Sequence, residues 1–103
     1  YEYSALLLKR DKINVGTLPA GKVKIEIEMR TPPERAAPAE LKFWINGKEA
    51  ATGTGERTVP LTFTASETFE VGLESCSPVA DDYFEKAPFK FEGKLNRLYF
   101  KNL

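Results

Sequence analysis

KVKIEIEMR, Lys22 to Arg30, alternates apolar and charged residues without a break. Val23, Ile25, Ile27 and Met29 fall on one side of an extended chain, and Lys22, Lys24, Glu26, Glu28 and Arg30 on the other. Successive side chains of a β-strand leave opposite faces, so this pattern predicts a strand with one face on a core and one in water. It is the clearest local signal in the chain, and it sets the period against which the rest is read.

On the C-terminal side, TPPERAAP (Thr31–Pro38) has three prolines and no period, and it reads as a surface loop. LKFWINGKEAA follows, with Leu41, Phe43 and Ile45 alternating up to Asn46-Gly47. Asn-Gly is the strongest short hairpin signal because both central residues of a type I′ turn need positive φ. Strands near 40–45 and 48–52 are therefore expected to pair, with TGTGE (Thr52–Glu56) as a Gly-rich turn after them. TVPLTFT puts Val59, Leu61 and Phe63 on one face, and Pro60, which has no N–H to donate, belongs at an edge or a bulge. TFEVGLE repeats the pattern with Phe69, Val71 and Leu73.

The closing FKFEGKLNRLYF carries Phe89, Phe91, Leu95, Leu98 and Phe100, with a slip of parity between Leu95 and Leu98 that predicts a β-bulge at Asn96-Arg97. YEYSALLLK and KINVG at the start supply one or two more short strands. About seven strands with turn signals roughly every ten residues, and no helical period, predict one all-β domain over 1–103, an antiparallel β-sandwich.

At 103 residues the chain fits one domain, of a size that buries only roughly two-thirds of its unfolded surface. Fifteen basic and fifteen acidic side chains cancel and form no long runs, so the footprint of a nucleic-acid binder is missing. There is no histidine, which removes the commonest general base and metal ligand. The one cysteine excludes an internal disulfide, so the fold does not depend on an oxidising compartment, and the compartment stays open. No apolar run approaches the roughly 18 residues of a membrane span, so no membrane partner is expected. The opening YEYSALLLKR lacks the n-region and cleavage site of a signal peptide. A start on Tyr1 without Met suggests a piece of a longer protein.

Three groups are candidates for chemistry. CSPVA (Cys76–Ala80) resembles the Cys-x-Pro-x-Arg motif whose cysteine formylglycine sulfatases oxidise to an aldehyde, but Ala80 stands where the arginine belongs. With no histidine to build the surrounding metal site, no catalytic residue and no metal ligand is assigned, and Cys76 reads as a loop thiol. Glu74, Asp81 and Asp82 form an acidic group that could gather Ca²⁺, a cation that takes about six to eight oxygens. The simpler reading is that Asp81 and Asp82 cap a turn through backbone N–H groups. Trp44, with Tyr83, Phe84, Tyr99, Tyr1 and Tyr3, could form a sugar-stacking platform. Trp44 lies on the strand face opposite Leu41, Phe43 and Ile45, so it is either exposed or covered by a neighbouring domain, and cover is the simpler account.

Taken in order, LPAGKVKIEIEM, the stretch from Leu41 to Tyr83 and APFKFEGKLNRLYF resemble the C-terminal domain of bacterial arylsulfatases of the formylglycine family. The matching positions are Gly21-Lys22, Asn46-Gly47, Arg57-Thr58-Val59-Pro60, Val71-Gly72, Ser77-Pro78-Val79-Ala80-Asp81-Asp82-Tyr83 and Phe89-Lys90-Phe91-Glu92-Gly93. Each piece is unspecific, whereas the ordered set is specific and covers most of the chain. Where the family has Arg-Asp after Val-Gly, this chain has Leu73-Glu74.

The resemblance implies a jelly-roll or concanavalin A-like, laminin G-like sandwich, incomplete on its own, serving as a non-catalytic accessory domain of a sulfuric ester hydrolase. It places CSPVADDY in the tail's loop, far from the formylglycine motif of the parent. Its partner would be the catalytic sulfatase domain of the same chain, which would use Ca²⁺ and formylglycine, with no cofactor in these residues. Glu74, Asp81, Asp82, Tyr83 and Trp44 are the expected interface or ligand-contact residues. The alternative function is a free carbohydrate-binding concanavalin A-like module. Isolated, the chain is expected to self-associate, by strand pairing or through the Trp44 face.

Overall fold

The computed structural model describes residues 1–5, 9–59, 70–74, 81–86 and 90–102. The chain divides into two compact units, Tyr1–Phe63 and Thr64–Leu103. The expected all-β, antiparallel character holds among the described residues: they form one two-stranded and one three-stranded sheet, both in the first unit. A seven-strand sandwich is not seen among them.

The three-stranded sheet has the order β3-β4-β5, with β3 Ile25–Arg30, β4 Ala39–Ile45 and β5 Lys48–Gly55. Alternation in KVKIEIEMR and LKFWI produces its two outer registers: Ile25, Ile27 and Met29 stand opposite Ile45, Phe43 and Leu41 on one face. Glu26 and Glu28 stand opposite Trp44 and Lys42 on the other. β4 and β5 are joined by Asn46 (φ 52°) and Gly47 (φ 80°), the two-residue, positive-φ connection that Asn-Gly predicts. Asn46 also ties the end of β4 to the start of β3, its backbone N–H donating to the Lys24 carbonyl and its Oδ1 accepting from the Lys24 N–H, both at 2.8 Å.

β5 does not stop where the glycines begin. Trp44 pairs with Glu49 and Phe43 with Ala51, so Ala50 is an extra residue, a β-bulge. The bulge resets parity, which brings Ala51, Gly53 and Gly55 onto the face of Phe43, Leu41 and Ala39. Thr-Gly-Thr-Gly is thus strand and not turn, with its smallest residues turned to the core.

Something fills the space that these small residues leave. β1 Glu2–Ala5 and β2 Lys9–Lys12 pair antiparallel, from Glu2↔Lys12 to Ala5↔Lys9. One further pair is added by Tyr1 and Ile13, each of which donates its backbone nitrogen to the other's carbonyl. The Tyr1, Asp11 and Ile13 side chains of this ribbon lie over β4 and β5. The Tyr1 ring sits 5.5 Å from that of Phe43, and the Ile13 side chain occupies the place where a Cβ on Gly53 would be. Asp11 Oδ2 accepts from the Glu56 N–H at 3.0 Å, and the Tyr3 hydroxyl accepts from the Val59 N–H at 3.0 Å. Glu2, on the other side of the ribbon and largely covered, lies 3.9 Å from Lys12 and 4.0 Å from Arg10.

The core that results is small: Ala37, Ala39, Leu41 and Phe43 are its buried apolar residues among those described. Thr58 closes one end, donating both its N–H and its hydroxyl to the Ala37 carbonyl. Because the ribbon lies over β4 and β5, the apolar stripe of β3 on the same face stays open, with Ile25 50%, Ile27 54% and Met29 44% exposed. The expected core face of KVKIEIEMR is therefore only half a core face.

Partial burial pushes the Tyr1 phenol above its ordinary range, and charge on Tyr3 and Asp11 adds to the shift. The raised value belongs to the folded chain, so the contribution to stability is complete below the ordinary phenol range. It is lost as pH climbs through the raised value. Thermal midpoints measured across alkaline pH should fall more steeply for this chain than for Tyr1→Phe. Equal slopes would place the Tyr1 ring in water.

Several expected strands are not found. Between Glu70 and Glu74 the chain turns at Gly72, whose φ of 75° is incompatible with an extended run; Phe69 lies outside the described residues. Residues 90–102 form no strand, so the bulge expected at Asn96-Arg97 is absent. Leu95, Leu98, Tyr99 and Phe100 are 49–77% exposed, and without a partner ladder an isolated extended segment has no stability of its own. Leu61, Phe63, Pro60, Cys76 and Phe89 lie outside the described residues. A 3₁₀-helix over Asp81–Lys86 was not legible, being too short to show a period.

Candidate functional site

Trp44 is carried by β4 in the first unit, on the face away from Phe43, and is half-buried. It stands between Glu26 of β3 and Glu49 of β5. Its face carries an ordered row of charge along β3: Lys24 Nζ lies 2.8 Å from Glu26 Oε1, and Arg30 donates to Glu28. Both pairs are solvent-exposed at one end, so they contribute little to stability.

Glu74, Asp81, Asp82 and Tyr83 belong to the second unit. Tyr83 and Glu74 are in direct contact, the phenol donating to Glu74 Oε2 at 2.6 Å in a part-buried setting. A hydroxyl bound to a carboxylate is among the stronger hydrogen bonds, and this one ties together two residues nine positions apart. Asp81 and Asp82 occupy the first turn of the 3₁₀-helix and Lys86 its last. That is the favourable order for the aligned peptide dipoles.

Glu74 is thus engaged by a phenol. No set of three or more His, Cys, Asp or Glu side chains converges to hold a metal among the described residues.

A second link in the same unit joins the Val-Gly segment to the closing segment: the Phe91 N–H donates to the Gly72 carbonyl at 2.8 Å. Gly72 is required there, because its φ of 75° aims that carbonyl while keeping the chain turned. Neither the Tyr83–Glu74 bond nor the Gly72–Phe91 bond was readable from spacing.

Sequence reasoning also missed the open stripe on β3. Strict alternation signals a face that avoids water in some state of the molecule. It does not say which element provides the cover.

Comparison with protein-family models, with curated proteins and with solved structures finds no match to this chain.

Proposed function

We propose that the chain is a non-catalytic C-terminal accessory domain of an arylsulfatase-like sulfuric ester hydrolase, in the form of a concanavalin A-like or jelly-roll sandwich of about seven strands. The observation that carries the reading is the pair of contacts in the second unit. Two pieces of the ordered set that resembles the sulfatase tail, Val71-Gly72 and Phe89–Gly93, are joined by the Phe91 N–H on the Gly72 carbonyl, and Tyr83 of a third piece bonds to Glu74, which stands where the chain departs from the set. A fourth piece, Asn46-Gly47, forms the hairpin the resemblance expects.

The Trp44 face is where the catalytic domain of the same chain would sit. Contacts between domains of one chain are more polar than those of obligate partners, and a half-buried tryptophan among Glu26, Glu28, Lys42 and Glu49 has that character. The same features disfavour the carbohydrate-binding alternative. A glycan platform needs exposed aromatic faces beside free polar groups, whereas Trp44 is half-buried and the Tyr83 hydroxyl is given to Glu74.

Reading the coding sequence upstream of Tyr1 tests the proposal. It should contain Cys-x-Pro-x-Arg or Ser-x-Pro-x-Arg in a catalytic domain, and an unrelated domain there would overturn the reading. The purified chain should not turn over an aryl sulfate with or without Ca²⁺; turnover abolished by Cys76→Ala would contradict it. Glycan binding lost in both Trp44→Ala and Tyr83→Ala would favour the carbohydrate module instead.

A further inference from the structure

We propose that two copies of the chain associate by antiparallel pairing of their β3 edges, with Ile25 of each strand on the two-fold axis. The inference concerns the chain alone and does not rest on the sulfatase reading, whose contact is placed on the Trp44 face.

Backbone parity is the first support. Lys24 exchanges hydrogen bonds with Asn46. In an antiparallel ladder bonded pairs alternate with non-bonded ones, so Glu26, Glu28 and Arg30 also bond towards β4. The turn gives the same parity independently: a two-residue hairpin closes on Ile45 and Lys48, which leaves Trp44 and Lys42 to bond towards β3. The N–H and C=O groups of Ile25, Ile27 and Met29 therefore point out of the sheet edge. These are the same three residues whose side chains form the open apolar stripe. Donors, acceptors and uncovered apolar surface coincide on one six-residue strand.

The other edge of this sheet is less suited to pairing. β5 is bulged at Ala50 and carries Gly53 and Gly55, both features that blunt an edge. β3 has neither bulge nor proline.

Charge then selects the register. Centring two β3 strands on Ile27 sets Glu26 against Glu28 and Lys24 against Arg30, all like charges. Centring on Lys24, Glu26 or Glu28 sets that residue against its own copy. Centring on Met29 runs Ile25 and Glu26 against Pro33 and Pro32, which have no N–H and end the strand. Centring on Ile25 sets Lys24 against Glu26 and Lys22 against Glu28, each twice by symmetry, and places Val23 against Ile27 and Ile25 against itself. Every facing charge pair is then opposite, and the two apolar stripes become one. This register extends β3 by three residues: Lys24 is already fixed to Asn46, while Lys22 lies in a bend and straightens on pairing. A net charge of zero offers no long-range repulsion. One strand pair is a small interface, so the dimer should be reversible on dilution.

Sedimentation equilibrium across micromolar to millimolar concentrations tests the proposal on the full chain. The unaltered protein should show a monomer–dimer equilibrium. Lys24→Glu alone or Glu26→Lys alone places like charges at two symmetric positions and should weaken association about tenfold. The combined Lys24→Glu and Glu26→Lys should restore it to within about threefold. The same cycle at Lys22 and Glu28 provides an independent set of variants should one of the first fail to fold, as judged by circular dichroism. A strict monomer at millimolar concentration, a dimer indifferent to the single exchanges, or a double exchange no better than the singles would each overturn the proposal.

Discussion

Phe43→Ala is expected to cost the first unit about 3–5 kcal/mol, the range for deleting a buried aromatic ring. Phe43 is 2% exposed at the centre of the middle strand, between Ile27 of β3 and Ala51 of β5, with the Tyr1 ring tilted against it at 5.5 Å. The cavity cannot be refilled locally, because the neighbours on β5 are Ala51 and Gly53 and the apolar residues on β3 are held in their own register. The loss is large against the roughly 5–15 kcal/mol that stabilises a typical domain, and only Ala37, Ala39 and Leu41 remain as buried apolar residues among those described. Urea denaturation followed by the fluorescence of Trp44, the adjacent residue on β4, gives the number. A loss under about 1 kcal/mol, the scale of a surface substitution, would mean that Phe43 is not the centre of the core.

Gly47→Val should destabilise by about 1–3 kcal/mol through the backbone alone. Gly47 has a φ of 80°, where a β-branched residue is strained, yet a Cβ there would meet no atom within 4 Å. Contacts and strain are therefore separable at this position. Gly47→Asn adds a side chain in the same open space but tolerates the left-handed region, so it should keep most of the stability. Equal midpoints for Val and Asn, both close to the unaltered chain, would show that Asn46-Gly47 is not the two-residue turn between Ile45 and Lys48.

The features legible in the sequence are those governed by neighbours in the chain. Alternation in KVKIEIEMR and LKFWI depends on residues two apart, and Asn46-Gly47 specifies its turn through its own φ values, so β4 and the hairpin were readable with nearly their observed bounds, and β3 with its start three residues too early. β5 was read as ending three residues early because Thr-Gly-Thr-Gly is turn chemistry by composition. What makes it strand is Ile13, about forty residues away, filling the space over Gly53.

The closing segment failed for the converse reason. Phe91 and Leu95 share a parity, but a strand needs a ladder partner, and local pattern does not supply one. At the candidate site the residues were singled out, while the bond between Tyr83 and Glu74 was not, since no spacing rule links a phenol to a carboxylate nine positions back. Trp44 was placed on the correct face by parity.

Parity is also the point on which the fold, the open stripe and the proposed dimer all depend. Amide hydrogen exchange read residue by residue, at a dilution where the chain is monomeric, tests it most directly. The N–H groups of Glu26 and Glu28 should exchange slowly, because they are bonded to β4, and those of Ile25, Ile27 and Met29 quickly, because they face water. On raising the concentration, Ile25 and Ile27 should become protected while Glu26 and Glu28 stay as they were. Slow exchange at Ile25, Ile27 and Met29 in the dilute monomer, with fast exchange at Glu26 and Glu28, would contradict the register of β3 on β4.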